Sequence, residues 1–205
     1  MYKIFTILIL SVSTPTLLLD GEKNSLLVDS FDSDAPKIGR SWETYKDDNN
    51  LGTKVNPFDI LKEGNPKGFK GHGHFSGHVG KNKDPWPWAA LDLAFQDDGP
   101  KDMSRFKAVR FWARGDGKKY RVRIGRVAIE DYCYPEATFL APIEWTLVTL
   151  PLSEFKQPKW GKQVPAGFKD VNMIGFMALT PGNDEDFDLR FTGVELIADL
   201  PAKGK

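Results

Sequence analysis

Hydrophobic and polar residues alternate along this chain with a period of two, rather than the three to four of an amphipathic helix. This alternation predicts β-strands over residues 26–31, 69–79, 88–95, 108–114, 119–128, 138–141, 145–150, 172–180 and 187–197. Short strands that follow one another without intervening helices favour an antiparallel β-sandwich over an α/β fold. The sequence therefore predicts an all-β protein.

Turn residues punctuate the predicted strands. The tight sequence Gly-Asp-Gly at 115–117 indicates a hairpin between the two strands that it joins. The strands on either side of Pro142 are expected to form a further pair. The polar stretch 32–66, rich in Asp, Asn, Gly and Pro, is typical of a loop with room for one short strand.

The outward positions of the predicted strands carry the candidate ligand-binding residues. Alternate residues of a strand face opposite sides, so Leu91, Leu93 and Phe95 are expected to face the core. The outward positions of three strands instead combine tryptophan and arginine with one aspartate. These candidates are Trp86, Trp88, Asp92, Arg110, Trp112, Arg114, Arg121 and Arg123.

This mixture of side chains suits two kinds of ligand. A flat aromatic ring stacks on the C–H face of a sugar, while Asp and the planar fork of Arg form hydrogen bonds with paired hydroxyls. Trp and Arg are also enriched in the hot spots of protein interfaces. A third interpretation packs Trp112 under a loop and leaves the arginines as a solvated face.

Two histidines form a candidate metal site. His72 and His74 lie on one face of a predicted strand, with Cα atoms roughly 7 Å apart, so both rings could reach one zinc or copper ion. No neighbouring Cys or carboxylate in the sequence completes a ligand set, and solvent-exposed polar positions are the favoured interpretation.

Charge and motifs narrow the function classes. The 28 basic and 28 acidic residues balance, which argues against nucleic acid or a membrane surface as partner. The single cysteine, Cys133, excludes an internal disulfide. The sequence lacks a nucleophile-elbow motif, a zinc-protease motif and a phosphate-binding loop, so we expect a binding protein rather than an enzyme.

The N-terminus has the order of a secretory signal: a positive start, an apolar run at 4–10 and small residues at 11–13. The apolar run is too short for a mature membrane span, and no other segment could cross a membrane. We predict a signal peptide over 1–19, with the cleavage site open, and a single β-sandwich domain over 26–200. We therefore expect an exported protein that is periplasmic or extracellular. The alternative interpretation of the N-terminal apolar run is a buried first strand.

Several segments resemble a known family. Residues 27–32 (Leu-Val-Asp-Ser-Phe-Asp) resemble the opening strand of family 11 carbohydrate-binding modules. Residues 102–117 resemble the family pattern D-L-S-x-Y-x-x-I-x-F-W-A-x-G-D-G, and 144–155 resemble E-W-x-x-V-x-v-P-f-S-x-F. Residues 174–177 and 187–191 resemble the last two strands. These modules share a galactose-binding-like jelly roll with the complex I intermediate-associated protein 30 family.

The resemblance implies an antiparallel jelly-roll sandwich over 26–197. The carbohydrate-binding members of this group are non-catalytic, bind glucans on a sheet face of aromatics, Asp and Arg, and often hold a structural calcium ion. This chain departs from them at 191–194, where Phe-Thr-Gly-Val replaces the usual I-D-D-I/V whose first Asp supports calcium. We therefore expect no cofactor, with the structural calcium ion that the resemblance implies as the alternative.

Two functions remain open at this point. The first is glycan recognition on the outward faces of the candidate strands. The second is a structural or assembly protein of the cell envelope or a surface appendage, which binds a protein partner through the same face. The assembly-factor members of the resembling group bind protein partners, but the N-terminus lacks the Arg-rich character of a mitochondrial transit peptide, so complex I assembly itself is not favoured.

Overall fold

The computed structural model describes residues 24–33, 35–47, 52–81, 87–95, 99–179 and 184–200. The predicted signal peptide and Trp86 lie outside these residues. Among the described residues, no helix has the length and apolar character needed to cross a membrane.

The regular secondary structure of the described residues consists of β-strands and one short 3-10 helix. Its elements are β1 (Ser25–Asp29), β2 (Trp42–Lys46), β3 (Lys54–Val55), β4 (Asp59–Leu61), β5 (His72–Val79), β6 (Trp88–Ala94), β7 (Ala108–Gly115), β8 (Lys119–Arg126), β9 (Glu136–Leu140), β10 (Thr146–Pro151), a short 3-10 helix (Leu152–Glu154), β11 (Val171–Leu179) and β12 (Glu185–Ile197).

The strands form two antiparallel sheets that pack into a jelly-roll sandwich, which confirms the predicted fold class. Sheet A has seven strands in the order β10-β7-β12-β5-β3, with β1 added on β12 and β4 on β5. Sheet B has five strands in the order β2-β6-β11-β8-β9. From β5 to β8 every successive strand changes sheet, and the same alternation returns from β9 to β12.

Two of the expected strand pairs are therefore wrong. The turn at Asp116 leads from β7 in sheet A to β8 in sheet B instead of closing a hairpin. The Asp116 carboxylate accepts hydrogen bonds from the Lys118 amide (3.0 Å), the Tyr120 hydroxyl (3.0 Å) and the Asp188 amide (3.1 Å). These bonds tie the crossing to β12. The strands around Pro142, β9 and β10, also belong to different sheets.

The polar stretch 32–66 holds three strands, β2, β3 and β4, rather than one. Two aromatic residues, Trp42 and Phe58, anchor this stretch to the core, and Phe58 packs against Trp42 and Phe191. The Trp42 indole Nε1 donates to the Asp29 carboxylate at 2.8 Å, and its ring packs against Phe176 and Phe191 in the core. Burial of the Trp42 ring draws β2 to the edge of sheet B.

Aromatic rings from both sheets meet at the centre of the sandwich. Phe176 of sheet B is fully buried and lies 4.2 Å from Phe191 and 5.2 Å from Phe111, both of sheet A, measured between ring centroids. Such tilted and edge-on pairs stabilise a core beyond the apolar area that they bury. Because the inner face of each sheet is buried in this core, only the outer faces are available to bind a ligand.

Truncation of the central ring tests this description of the core. We expect Phe176→Ala to lower the free energy of unfolding by about 3–5 kcal/mol, because it removes a buried ring and leaves a cavity. The matched control is Leu147→Ala on the outer face of sheet A, where the side chain is 44% exposed and the expected change is within about 0.5 kcal/mol. Urea unfolding followed by tryptophan fluorescence measures both; equal losses would contradict the assignment.

Candidate ligand-binding face

The outer face of sheet B carries one continuous line of polar positions across all five strands. The strand registers place Glu43 beside Asp92, Asp92 beside Gly175, Gly175 beside Arg123, and Arg123 beside Glu136. We call these five residues the polar row. Each alternates with buried neighbours on its own strand, so the row faces away from the core.

The centre of the polar row depends on a glycine, which leaves space between two charged side chains. Asp92 on β6 and Arg123 on β8 are separated by β11, where Gly175 occupies the position between them. The Arg123 Nε donates to one Asp92 oxygen at 3.0 Å, and a terminal guanidinium nitrogen donates to the other. A Cβ at position 175 would lie 1.9 Å from Asp92 Oδ1. Glycine is therefore required for this bidentate pair to form across the strand.

Two ion pairs fix the charges of this face. Burial raises the pKa of the Asp92 carboxyl, and the Arg123 guanidinium acts in the opposite direction. Burial likewise raises the pKa of Glu136, opposed by the Arg121 guanidinium with which it forms an ion pair. Each guanidinium has five N–H donors, so both arginines keep donors for a ligand after pairing.

Aromatic rings flank the polar row at both edges of the sheet. Tyr45 on β2 is 45% exposed, and its hydroxyl donates to Glu43 at 2.8 Å, which raises the pKa of Tyr45 to about 12. At the other edge, the β8–β9 loop carries Tyr132, which is 74% exposed, and the half-buried Tyr134. Burial raises the pKa of Tyr134, and the charge of Arg123 opposes that shift.

The structure divides the residues singled out from the sequence between two surfaces. Sheet B presents Trp88, Asp92, Arg121 and Arg123 on its outer face. Sheet A carries the other three described candidates, Arg110, Trp112 and Arg114, on β7. The expectation of one shared face is wrong for these three, because β7 enters the opposite sheet from β6 and β8.

The sequence reasoning missed the three tyrosines. Tyr45 lies within the stretch interpreted as a loop, although the alternation of Trp42 and Thr44 with Glu43 and Tyr45 is compatible with a strand. Tyr132 and Tyr134 lie in a loop, where no strand period marks the direction of a side chain. The sequence offers only one sign of them, which is two aromatic residues separated by a single residue within this loop.

The outer face of sheet A is partly covered. The Arg110 guanidinium pairs with Glu195, with its Nε at 2.8 Å and a terminal nitrogen at 2.7 Å from one carboxylate oxygen. The indole of Trp145, just before β10, donates to the Gly64 carbonyl at 2.7 Å and packs edge-on against His72, 5.2 Å between centroids. Trp145 thus reaches across the sheet to the β4–β5 loop.

This cover removes His72 from solvent, so its expected exposure is wrong. His72 is 2% exposed, and its Nδ1 lies 2.6 Å from Asn65 Oδ1, while His74 Nε2 contacts Asp188 at 2.9 Å. Across the described ranges, no group of three or more His, Cys, Asp or Glu residues could hold a metal ion. The His72–His74 pair therefore gains no further ligand from the fold.

The residues at the implied calcium position also do not fit that ion. Thr192 replaces the family's aspartate, and its hydroxyl lies 2.9 Å from the carbonyl oxygens of both Ser30 and Gly71. The Lys62 ammonium lies 3.3 Å from the Phe31 carbonyl. Calcium requires six to eight oxygen ligands, whereas these carbonyls face a hydroxyl and a group that is itself cationic.

The misfit predicts that the fold is insensitive to chelators. We expect EDTA to leave the thermal midpoint unchanged, whereas Lys62→Met should lower it by removing the cation that faces Phe31. Thermal unfolding followed by circular dichroism measures both. A lower midpoint in EDTA that excess calcium chloride restores would contradict this assignment.

Burial of His72 makes stability depend on pH. Burial, then the charges of Arg190, His74 and Arg114, lower its pKa from 6.5 to about 4. The neutral ring is favoured in the folded state, so its contribution is complete above pH 6.5 and is lost as pH falls towards 4. Between pH 7 and 4, the wild type should lose up to about 3 kcal/mol more than His72→Gln. Urea titrations across this range measure the difference; parallel pH profiles would contradict the account.

Comparison with known proteins identifies the family of this chain. Residues 31–191 match the family model of complex I intermediate-associated protein 30. Endoglucanase 3 of Fibrobacter succinogenes is 25% identical over 161 residues, which are 74% of this chain and 24% of that protein. The chain thus spans about a quarter of the length of this relative.

Solved structures share the fold. A family 11 carbohydrate-binding module from Clostridium thermocellum, in complex with a β-1,3-1,4-mixed-linked tetrasaccharide, superposes with a TM-score of 0.63 at 15% identity, over 86% of this chain and 96% of that one. A family 30 carbohydrate-binding module gives a TM-score of 0.60 at 12% identity, over 85% and 99%. Because residues 31–191, most of this chain, match the family model, the chain belongs to the complex I intermediate-associated protein 30 family.

Proposed function

We propose that this chain is a non-catalytic carbohydrate-binding domain of an exported protein, and that the outer face of sheet B binds a β-linked glucan. The observation that carries the proposal is the polar row with aromatic rings at both edges. A module with the same fold is bound to a mixed-linked tetrasaccharide, and the curated relative is an endoglucanase, which supports the ligand class. Export is the prediction of the N-terminal sequence.

The shape of the face favours a sugar chain that crosses the strands. Gly175 has no side chain and Ala90, on the neighbouring strand, has only a methyl group, so the middle of the sheet is low. Tyr45 is the register partner of Ala90, Trp88 lies two residues from Ala90 on the same face of β6, and Tyr134 lies in the β8–β9 loop. Pyranose rings in this trough would stack on the aromatic side chains while their hydroxyls reach the arginines of the row.

The arginine side chains of this face are preorganised for ligand binding. Arg121 and Arg123 are already held by their carboxylate partners, so a ligand that accepts their remaining N–H donors orders few additional rotors. Loss of side-chain freedom is one of the main costs of association, and here folding has already fixed these two side chains.

The same pairing argues against catalysis on this face. Glycosidases use one carboxylic acid that is free to give a proton and one carboxylate that is free to act as base or nucleophile. Here Asp92 is engaged by Arg123, Glu136 by Arg121, and Glu43 accepts the Tyr45 hydroxyl. The carboxylates of the row are arranged to hold donors in place.

Binding to mixed-linkage β-glucan tests the proposal. We expect retardation of the wild type in affinity gels that contain this polysaccharide, and an affinity about tenfold lower for Tyr45→Ala and for Trp88→Ala, through loss of stacking. Leu147→Ala is the matched control: it is 44% exposed on sheet A, against 45% for Tyr45. Isothermal titration with the tetrasaccharide gives the affinities, and unchanged thermal midpoints show that the variants fold.

Two outcomes would contradict the proposal: no retardation of the wild type by any glucan, or an equal loss in Leu147→Ala. Family membership favours a second candidate, a protein partner bound by the same face, because Tyr, Trp and Arg also form interface hot spots. A protein recovered from the native host by the wild type, lost in Tyr45→Ala and unaffected by glucan would establish that alternative.

A further inference from the structure

The outer face of sheet A holds two arginines directly opposite each other. Arg114 on β7 and Arg190 on β12 are register partners, an arrangement in which like charges destabilise a sheet. Within the described part of the chain, Arg114 forms no ion pair, and Arg190 has one, with Asp188 at 3.6 Å. Asp188, two residues from Arg190 on the same face of β12, offsets part of this repulsion, and its carboxylate also contacts His74 at 2.9 Å.

Two buried nitrogens, one in Arg190 and one in a neighbouring histidine, also lack hydrogen-bond partners among the described residues. These are Arg190 Nε and His72 Nε2. A buried polar atom without a hydrogen bond carries a desolvation penalty, so such atoms usually mark a missing ligand or water. Arg190 is the register partner of His74, and His72 lies two residues from His74 on the same face of β5, which places Arg190 and His72 in one cluster.

The hydrogen bonds around His72 define which of its nitrogens is available. Asn65 Nδ2 donates to the Lys62 carbonyl at 2.8 Å, so Asn65 presents its oxygen to His72, and His72 Nδ1 carries the proton of that contact. His72 Nε2 therefore has a lone pair when the ring is neutral and an N–H when it is protonated.

Indole surface borders the same cluster. Trp145 packs against His72 and is half-buried, and Trp112, half-buried, precedes Arg114 by two residues on the same face of β7. Two guanidiniums beside two indoles combine the fork that suits a carboxylate with rings that suit a pyranose.

We propose that Arg114, Arg190 and His72 form a second binding site, which takes the carboxylate of an acidic sugar such as a uronic acid. The two arginines donate hydrogen bonds to the carboxylate oxygens, and the negative charge of the carboxylate reduces the repulsion between the arginines. Protonated His72 donates its Nε2–H to the same group, and an indole supports the sugar ring. This site lies on the opposite side of the sandwich from the polar row, so it stands independently of the proposed glucan face.

Proton uptake is the signature of this site. Arg190, His74 and Arg114 disfavour protonation of His72, and Asp188 favours it. Asn65 and Trp145 are its neutral neighbours from the covering loops. A bound carboxylate adds a negative charge and shifts the balance towards the protonated ring. Affinity therefore rises as pH falls from 7 to 5, and binding takes up a proton.

Methyl β-D-glucuronide and methyl β-D-glucoside are matched probes that differ in the carboxylate. In two-dimensional ¹⁵N–¹H NMR, the glucuronide should give saturable shifts of the Arg114 and Arg190 Nε–Hε signals, with severalfold tighter binding at pH 5.5 than at pH 7. The glucoside should give none. Arg114→Met should abolish the effect and Arg114→Lys should weaken it, while the exposed Arg105→Met, which also removes one positive charge, should leave it unchanged.

Several results would overturn the proposal. They are the absence of saturable shifts, equal shifts with the glucoside, an affinity without pH dependence, or unchanged affinity in a folded Arg114→Met variant. Equal binding of N-acetylglutamate would assign the site to an acidic peptide instead. Tyr45→Ala, which removes a ring from the polar-row face, should bind the glucuronide as the wild type does, so failure of one site is distinguishable from failure of the other.

Discussion

The structure depends on one shared aromatic core, to which strands of both sheets contribute. Phe176 from sheet B and Phe191 and Phe111 from sheet A meet there, and Trp42 packs against the first two. Because every strand turns its apolar side towards this core, each sheet must direct its other side to solvent. The chain passes from one sheet to the other at most connections, which gives the sandwich two separate outer faces with different chemistry.

The face of sheet B is arranged around the absence of a side chain. At Gly175, the backbone lets Arg123 reach across a whole strand to Asp92, and the pair then keeps both groups in place without filling the trough. The face of sheet A has the opposite character, with Trp145 drawn over it and two arginines left facing each other. One face thus presents fixed ion pairs along a single row, and the other presents Arg114 and Arg190 opposite each other with the Asp188 carboxylate beside Arg190.

Period-two alternation was sufficient to predict the fold class and the direction of most strand side chains. It placed Trp88 and Arg123 outward and Phe111 inward correctly, because burial of one face fixes the register of a strand. Alternation contains no information about which sheet a strand joins. Arg110, Trp112 and Arg114 were therefore grouped with residues on the far side of the molecule, and cover by Trp145 could not be foreseen for His72.

The central claim is that the outer face of sheet B binds a glycan. Titration of the ¹⁵N-labelled protein with the β-1,3-1,4-mixed-linked tetrasaccharide tests it most directly, because each backbone amide reports its own surroundings. The account predicts that the shifting amides lie in β2, β6, β8 and β11 and in the loop that carries Tyr134, with sheet A unaffected. Shifts confined to sheet A, or none at saturating tetrasaccharide, would contradict it.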